Sequence, residues 1–292
     1  MTRLGTLLTT GAVLCATAVP GIARASVLLN GWNYAIDSQT DGSPSSNGVY
    51  EYRGLAFKWD NHKMYVAISS QMPLGGNAAG GALNGRVNHG DLFFNWGAGN
   101  LTSAAAFNNP LVFGIRFDPL NDSFGNVSGS NTTTGVFGSI SVTSLTNANT
   151  GWSTLTDYVN GGWGRTVDAM ADLENNIAVG GDVRTYLGGG TQYPNMLSGT
   201  KLGDITMLNK TQLTSMGLNF GAFGADPAGN NVWGFSWDRS LMPNGNVTMH
   251  IFEECINDGM ALKASVPEPG SAALVAGGAF GFAVLLRRRR KQ

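Results

Sequence analysis

Apolar residues alternate with small or polar ones in short runs along most of the chain, which is the period of a strand with one buried face. Between residues 50 and 59, Leu55, Phe57 and Trp59 fall on one face and Tyr52, Ala56 and Lys58 on the other. Asp60-Asn61 supplies a turn, and Met64, Val66 and Ile68 begin a return strand, so a hairpin is predicted. Further inward faces are read at Leu92, Phe94 and Trp96, at Leu111, Phe113, Ile115 and Phe117 before Asp118-Pro119, and at Val136, Ile140 and Val142. Ile205 and Met207, then Trp233, Phe235 and Trp237, then Val247, Met249 and Ile251 complete the set, with Pro243-Asn244-Gly245 as a turn between the last two. Helical spacing is scarce. Trp152 to Val159 reads as one or two turns and Val167 to Ile177 as a short helix, both in a less regular middle. Residues 73–90 and 125–135 read as long polar loops.

The two ends carry different patterns. Arg3 precedes an apolar stretch from Leu4 to Val19, Pro20 and Gly21 break it, and Ala23-Arg24-Ala25 provides small residues before a cut. This is the layout of a secretory signal peptide cleaved after Ala25. Val13 and Leu14 precede Cys15 where a lipid-attachment site needs small residues, which argues against a lipoprotein. At the other end, Val266-Pro267-Glu268-Pro269 leads into an apolar, small-residue run over 270–286, followed by Arg287, Arg288, Arg289, Arg290 and Lys291. As a helix that run covers about 25 Å at about 1.5 Å per residue, the short end for a hydrocarbon core of about 30 Å. It reads as a transmembrane helix with a cytoplasmic basic stop and the body outside. The fold class expected is therefore all-β: an antiparallel β-sandwich, with a jelly roll as one form of it, an irregular central insertion and a C-terminal transmembrane helix. Two small β domains divided near 145–190 form the competing reading. The organisation expected is a signal peptide at 1–25, an extracytoplasmic β domain at 26–265 and a sorting segment at 266–292 with its membrane span at 270–286. An inner-membrane-anchored precursor would then reach the cell surface or the extracellular space. A plain tail anchor that is never cut is the alternative for this end.

The Pro267-Glu268-Pro269 tripeptide, the apolar run and the arginine cluster Arg287–Arg290 together resemble the PEP-CTERM sorting signal of exosortase-dependent proteins in Gram-negative bacteria. That resemblance implies an exosortase-type membrane protease as a partner, cutting near the tripeptide, and an envelope or extracellular polysaccharide setting. The body is also similar to cyanobacterial exosortase-dependent surface proteins of unknown function, on Gly90-Asp91-Leu92-Phe93-Phe94-Asn95, Leu202-Gly203-Asp204-Ile205 and Phe252-Glu253-Glu254-Cys255. This second likeness implies no activity and no catalytic residues.

Charge and cysteine content narrow the classes. Residues 26–265 hold eleven basic and eighteen acidic side chains, a net charge of −7 that the cationic tail hides in the whole-chain value of −1. Such a body repels nucleic acid and anionic lipid. Only Cys255 remains after signal cleavage, so no internal disulfide is expected, and its acidic neighbours disfavour the thiolate. Forty-two glycines and 13% charged residues favour turns and strands, while seven tryptophans argue against disorder.

Candidate chemistry is sparse. Asp37, Gln39, Asp41 and Gly42 match the first positions of a calcium loop, but Gly48 stands where the bidentate glutamate belongs. Asp118, Asn121 and Asp122 form a second oxygen-rich turn, and a structural calcium is the one cofactor these turns leave open. Histidines 62, 89 and 250 have no zinc spacing, and His250, between Met249 and Ile251, is expected on the wet side of its strand. Glu253 and Glu254 are adjacent, so in a strand they face opposite ways and cannot form a carboxylate pair alone. The glycine clusters at 75–81 and 188–190 lack the context of phosphate loops. Trp59, Trp96, Trp233 and Trp237 are expected in the core. Trp152, Trp163, Tyr186 and Tyr193, in the irregular middle, are the aromatics free to contact a sugar.

The function expected is that of an exported, exosortase-processed surface or extracellular-matrix protein without catalytic residues. A carbohydrate-binding module in the exopolysaccharide matrix and a secreted glycan hydrolase are the alternatives.

Overall fold

A computed structural model describes residues 27–37, 48–126, 128–160 and 185–268. In chain order its strands are β1 (Val27–Leu29), β2 (Trp32–Ile36), β3 (Tyr52–Trp59), β4 (Lys63–Ser70), β5 (Asn77–Ala78), β6 (Arg86–Val87), β7 (Leu92–Asn95), β8 (Val112–Arg116), β9 (Gly135–Thr143), β10 (Asn195–Gly203), β11 (Thr206–Asn209), β12 (Asn231–Asp238), β13 (Gly245–Phe252) and β14 (Gly259–Val266). Short helices α1 (Ala104–Phe107), α2 (Leu155–Asn160) and α3 (Lys210–Ser215) lie between them.

Two six-stranded sheets form, ordered β1-β2-β3-β4-β12-β11 and β10-β9-β8-β7-β13-β14, with every pairing antiparallel. Each is a four-strand meander extended by a hairpin from later in the chain. Consecutive strands mostly stay within one sheet, so the order is not that of a jelly roll. The turn at Asp60 works as its sequence suggests: its Oδ1 accepts from the amides of His62 (2.7 Å) and Lys63 (2.8 Å), and β3 pairs with β4. The Pro243–Gly245 turn instead carries the chain from one sheet to the other.

Inner faces of both sheets bury one shared core. Leu55, Phe57, Val66, Ile68, Phe235 and Trp237 face Leu92, Phe94, Ile115, Met249, Ile251 and Leu262. Aromatic rings span the gap, with Phe57 5.9 Å from Phe94, Phe94 5.4 Å from Trp237 and Phe117 stacked 5.2 Å from Phe235. Each such pair adds about 0.5–1.5 kcal/mol to the burial of its area. Trp96, Trp233 and Trp237 are buried and Trp59 packs at the margin.

The outer faces are also covered, unlike those of a sandwich with one wet face per strand. On the first sheet, Trp32, Tyr34, Ile36, Ala56 and Ala67 pack beneath Leu213, Leu218 and Phe220. A reciprocal capping box between Asn209 and Gln212 starts α3 there. Gly54 leaves room for the roof, since a Cβ would lie 2.7 Å from the Phe220 ring. On the second sheet, Phe93, Val112, Phe137, Ile140, Val142 and Met196 pack beneath Phe107, Leu155, Tyr158 and Leu187.

Several strand expectations change for local reasons. Tyr52 faces the core with Leu55 because a bulge between Tyr52 and Gly54 shifts the alternation. Val136 faces inward but Ile140 and Val142 face outward, because Ser139 adopts φ 47° and β10 opposite it carries register shifts. Leu111 precedes β8 and Met207 lies on the edge strand β11, and both are exposed. His250, expected in water, is 1% exposed because the roof covers it, with Phe93 stacked 5.3 Å away.

The fold expectation needs one correction. No helix among the described residues is long and apolar enough to cross a membrane, so the described fold is all-β and sandwich-like without the C-terminal transmembrane helix. Among the described residues, therefore, nothing supports the inner-membrane-anchored precursor expected from the sequence. The run expected to span, 270–286, lies outside the described residues, as do the signal peptide 1–25, the helix read at 167–177, Pro269 and Arg287–Arg290. The strand β14 extends to Val266, one residue past the domain end read at 265.

Candidate functional site

One end of the sandwich is built from charged and amide side chains that have almost no exposure. Asp91, Arg116, Asp118, Asn121, Asp122, Asn195, Glu253, Glu254 and Asp258 are each 0% exposed. They come from the starts of β7 and β10, the end of β8 and its following loop, and the loop between β13 and β14. Buried polar groups are costly unless hydrogen-bonded, and most of the acceptors here meet a donor, Asp118 Oδ2 and Asn195 Oδ1 being exceptions.

Glu254 joins three segments. Its Oε1 accepts from the Asp122 amide (2.5 Å) and Asn195 Nδ2 (2.8 Å), and its Oε2 from the Asn88 amide (3.0 Å). Asp91 ties two of the same segments to the start of β7, accepting from Asn121 Nδ2 (2.9 Å), Ser123 Oγ (2.6 Å) and the Met196 amide (2.7 Å). Arg116 fastens the β8–β9 loop from within. Its Nε donates to Asn121 Oδ1 (2.6 Å), and its Nη atoms donate to the carbonyls of Pro119, Asn121 and Thr133 and to Asn131 Oδ1. Burial pushes the carboxyl of Asp91 up to about 6 and that of Asp118 up to about 7, against the pull of these bonds and of Arg116. Glu254 is raised by burial and then by Asp122 beside it.

His89 sits under this layer. Its Nε2 faces the Pro73 carbonyl (3.1 Å), which can only accept, so the proton is assigned to Nε2 and Nδ1 accepts from Tyr52 Oη (2.8 Å). Burial lowers its pKa to about 4. His250 is lowered by burial to about 3, and its Nδ1 lies 3.1 Å from Tyr186 Oη.

The oxygen-rich turns expected to suit calcium are engaged elsewhere. Asn121 Oδ1 takes Arg116, Asp118 Oδ1 takes the Leu120 amide (2.9 Å), and Asp122 takes Asn84 Nδ2 (2.8 Å) and Asn149 Nδ2 (2.9 Å). Among the described residues no group of three or more His, Cys, Asp or Glu is disposed to hold a metal ion. Asp37 is buried beside Arg53, its amide donating to the Arg53 carbonyl (3.3 Å). Gln39, Asp41 and Gly42 lie outside the described residues.

A cleft of about 270 Å³ opens beside this end, lined by Tyr50, Val87, Asn149, Thr150, Gly151, Trp152, Cys255 and Asn257. Its floor is a backbone contact. The Trp152 amide donates to the Cys255 carbonyl (2.9 Å), and a Cβ on Gly151 would lie 1.8 Å from that oxygen, so only glycine fits. Thr150 and Ile256 take left-handed backbone on either side, at φ 57° and 46°. Asn149 is held by Asp122, and so the cleft wall hangs on the buried carboxyl layer. Trp152 and Gly151 also line a neighbouring groove of about 380 Å³ with Asn147, Ser153, Asp157 and Asn160. The Cys255 thiol is buried, and its pKa is raised well above the ordinary value by burial and then by Glu253.

Of the aromatics singled out for sugar contact, Trp152 is half-buried between the two depressions. Tyr193 is half-buried with its ring 5.9 Å from Phe107, and Tyr186 is buried against His250. Trp163 lies outside the described residues. In the sorting tripeptide, Pro267 and Glu268 are exposed directly after β14. The carboxyl network was not anticipated. Its signals were a charge set flush against an apolar run, as in Asp91 before Leu92-Phe93-Phe94, and a charge pair between two strands, as in Glu253-Glu254.

A family model described as the PEP-CTERM protein-sorting motif matches residues 265–290. The chain therefore carries a PEP-CTERM sorting motif at the end of a mostly β-sheet body. No curated protein and no solved structure matches it.

Proposed function

We propose that this is an exported protein, processed by an exosortase-type enzyme, whose β-sandwich works at the cell surface or in the extracellular matrix as a non-catalytic unit. The observation that carries the reading is the sorting motif over 265–290, which begins where the last strand of the body ends. The non-catalytic part draws support from the carboxyls of the polar end. Asp91, Asp118, Asp122 and Glu254 have no exposed surface and each accepts at least one hydrogen bond from a surrounding loop, whereas glycoside hydrolysis needs two carboxyls facing one cleft. Cell fractionation with mass measurement of the mature chain tests the proposal. Surface or medium protein lacking the tail is expected; a cytosolic chain ending at Gln292 would defeat it.

A second reading, binding of neutral carbohydrate, is favoured by one feature: Trp152 is shared by two adjoining depressions that also present Tyr50, Asn147, Asn149 and Asn257. An aromatic face with amide donors and acceptors is the chemistry that suits a hydroxyl-rich ring. Polysaccharide pull-down should retain the wild type and release Trp152→Ala at least tenfold more readily. Equal retention of the two proteins would remove Trp152 from the reading.

A further inference from the structure

The last strand of the body runs straight into the sorting motif. Val266 is the final residue of β14, pairs with Gly245 and is 1% exposed in the shared core. Pro267 and Glu268, the next two residues, are exposed. The Pro267 carbonyl is nevertheless held, because it accepts from Arg239 Nη2.

Arg239 is a junction of three segments. Its Nη1 donates to the Asp60 carbonyl in the β3–β4 turn (2.7 Å), its Nη2 also reaches Asn244 Oδ1 ahead of β13 (2.8 Å), and its own amide donates to the His62 carbonyl (2.9 Å). The side chain that grips the motif is therefore fixed at both ends, and the residue is 6% exposed.

A protease reads its substrate as extended chain, and pairing or burial removes a segment from its reach. Every residue of β14 is paired with β13 and Val266 is packed into the core, so the freely accessible substrate begins at Pro267. We infer that the folded body sets the amino-terminal limit of processing: the scissile bond lies carboxy-terminal to Pro267, and the mature protein keeps all of β14 with Pro267 on the Arg239 clamp. In that step the peptide C–N bond breaks, water supplies hydroxyl to the acyl carbon and a proton to the departing amine. The protease must then take its recognition from Pro267 onward, because no slack precedes the motif.

This inference rests on the processing reading, and two measurements separate their failures. The first is the intact mass and C-terminal peptide of the protein from its exosortase-bearing producer. A single terminus at Pro267 or within the next few residues is expected. A terminus at Val266 or earlier overturns the inference and leaves processing standing, and a chain ending at Gln292 overturns both. The second needs no exosortase. Full-length folded protein is digested to its limit with a broad-specificity protease, and no product should end before Val266. Trimming into β14 while the tryptophan fluorescence remains native overturns the limit. In Arg239→Ala, carried through the same digestion, the clamp is gone and ragged ends inside 259–266 should rise at least several-fold over wild type. An unchanged end in a folded variant removes Arg239 from the role.

Discussion

Replacing Asp118 by asparagine isolates the effect of one buried carboxyl on the pH dependence of stability. Asp118 is 0% exposed, and burial raises it from 3.8 to about 7 although Arg116 lies near and the Leu120 amide donates to Oδ1. A carboxyl raised in the folded state favours folding below its unfolded value, and that contribution is lost as the pH climbs through the folded one. At about 1.36 kcal/mol per unit of difference, linkage from 3.8 to about 7 makes wild type lose about 2.5 kcal/mol between pH 5 and pH 8 from this group. Asparagine keeps the acceptor that faces Leu120 and does not titrate. The wild-type profile alone does not isolate this contribution, because other buried groups act with and against it. Asp91, raised to about 6, loses stability in the same direction. His89 and His250, lowered to about 4 and about 3, stay neutral while the unfolded chain takes protons below 6.5, so they destabilise the fold on the acid side. The readout is therefore the difference between wild type and Asp118→Asn in urea-unfolding free energy, followed by tryptophan fluorescence at pH 5 and pH 8. The difference should shift by about 2–3 kcal/mol, with wild type relatively weaker at pH 8. A difference that stays level, or that moves the other way, would mean Asp118 is ionised throughout and held by Arg116, and the burial argument would be wrong.

Two further outcomes follow from the packing. Gly151→Ala places a Cβ 1.8 Å from the Cys255 carbonyl and should cost about 3 kcal/mol or more, whereas Gly80→Ala, with nothing within 4 Å of the added atom, should leave the thermal midpoint within error. Cys255, buried with its thiol pKa raised, should resist maleimide or disulfide reagents at pH 8 in the folded protein and react only at the rate of unfolding; labelling within minutes under native conditions would refute its burial.

The strands were legible where alternation was uninterrupted. Met64, Val66 and Ile68, like Phe113, Ile115 and Phe117, alternate without a break and do face the core. Legibility ended at single backbone events. The bulge before Gly54 and the left-handed Ser139 each change which residues face inward, and neither leaves a mark in hydropathy. The covered outer faces were hidden for another reason: Ala56 and His250 read as ordinary outward residues until the segments that roof them are known. The polar end was the least legible. Asp118, Asn121 and Asp122 look the same in sequence whether they bind a cation, a turn amide or a distant loop, and only their partners at Arg116, Asn84 and Asn149 decide it.

The choice of carboxyls over cysteines at that end has a thermodynamic consequence. A disulfide stabilises chiefly by restricting the unfolded chain, so its effect is present at any pH. Glu254 links the same kind of distant points, bonding residues 166, 132 and 59 positions away, but it leaves the unfolded chain unrestrained. Its contribution lies entirely in the folded state and falls as the group loses its proton, because burial and Asp122 both oppose the charge. The cleft beside it inherits that dependence, since Asn149 is positioned by Asp122 and the Gly151–Trp152 backbone rests on Cys255, the residue after Glu254. Raising the pH should thus loosen the wall carrying Trp152 before it disturbs the Phe57–Phe94–Trp237 core, whose titratable side chain, Tyr52, is held well above the ordinary tyrosine value by burial. Amide exchange at 149–152 that rises faster with pH than the intrinsic rate, alongside unchanged protection in β3 and β12, is the expected pattern. Parallel loss of protection in both places would show instead that the polar end and the core open as one unit.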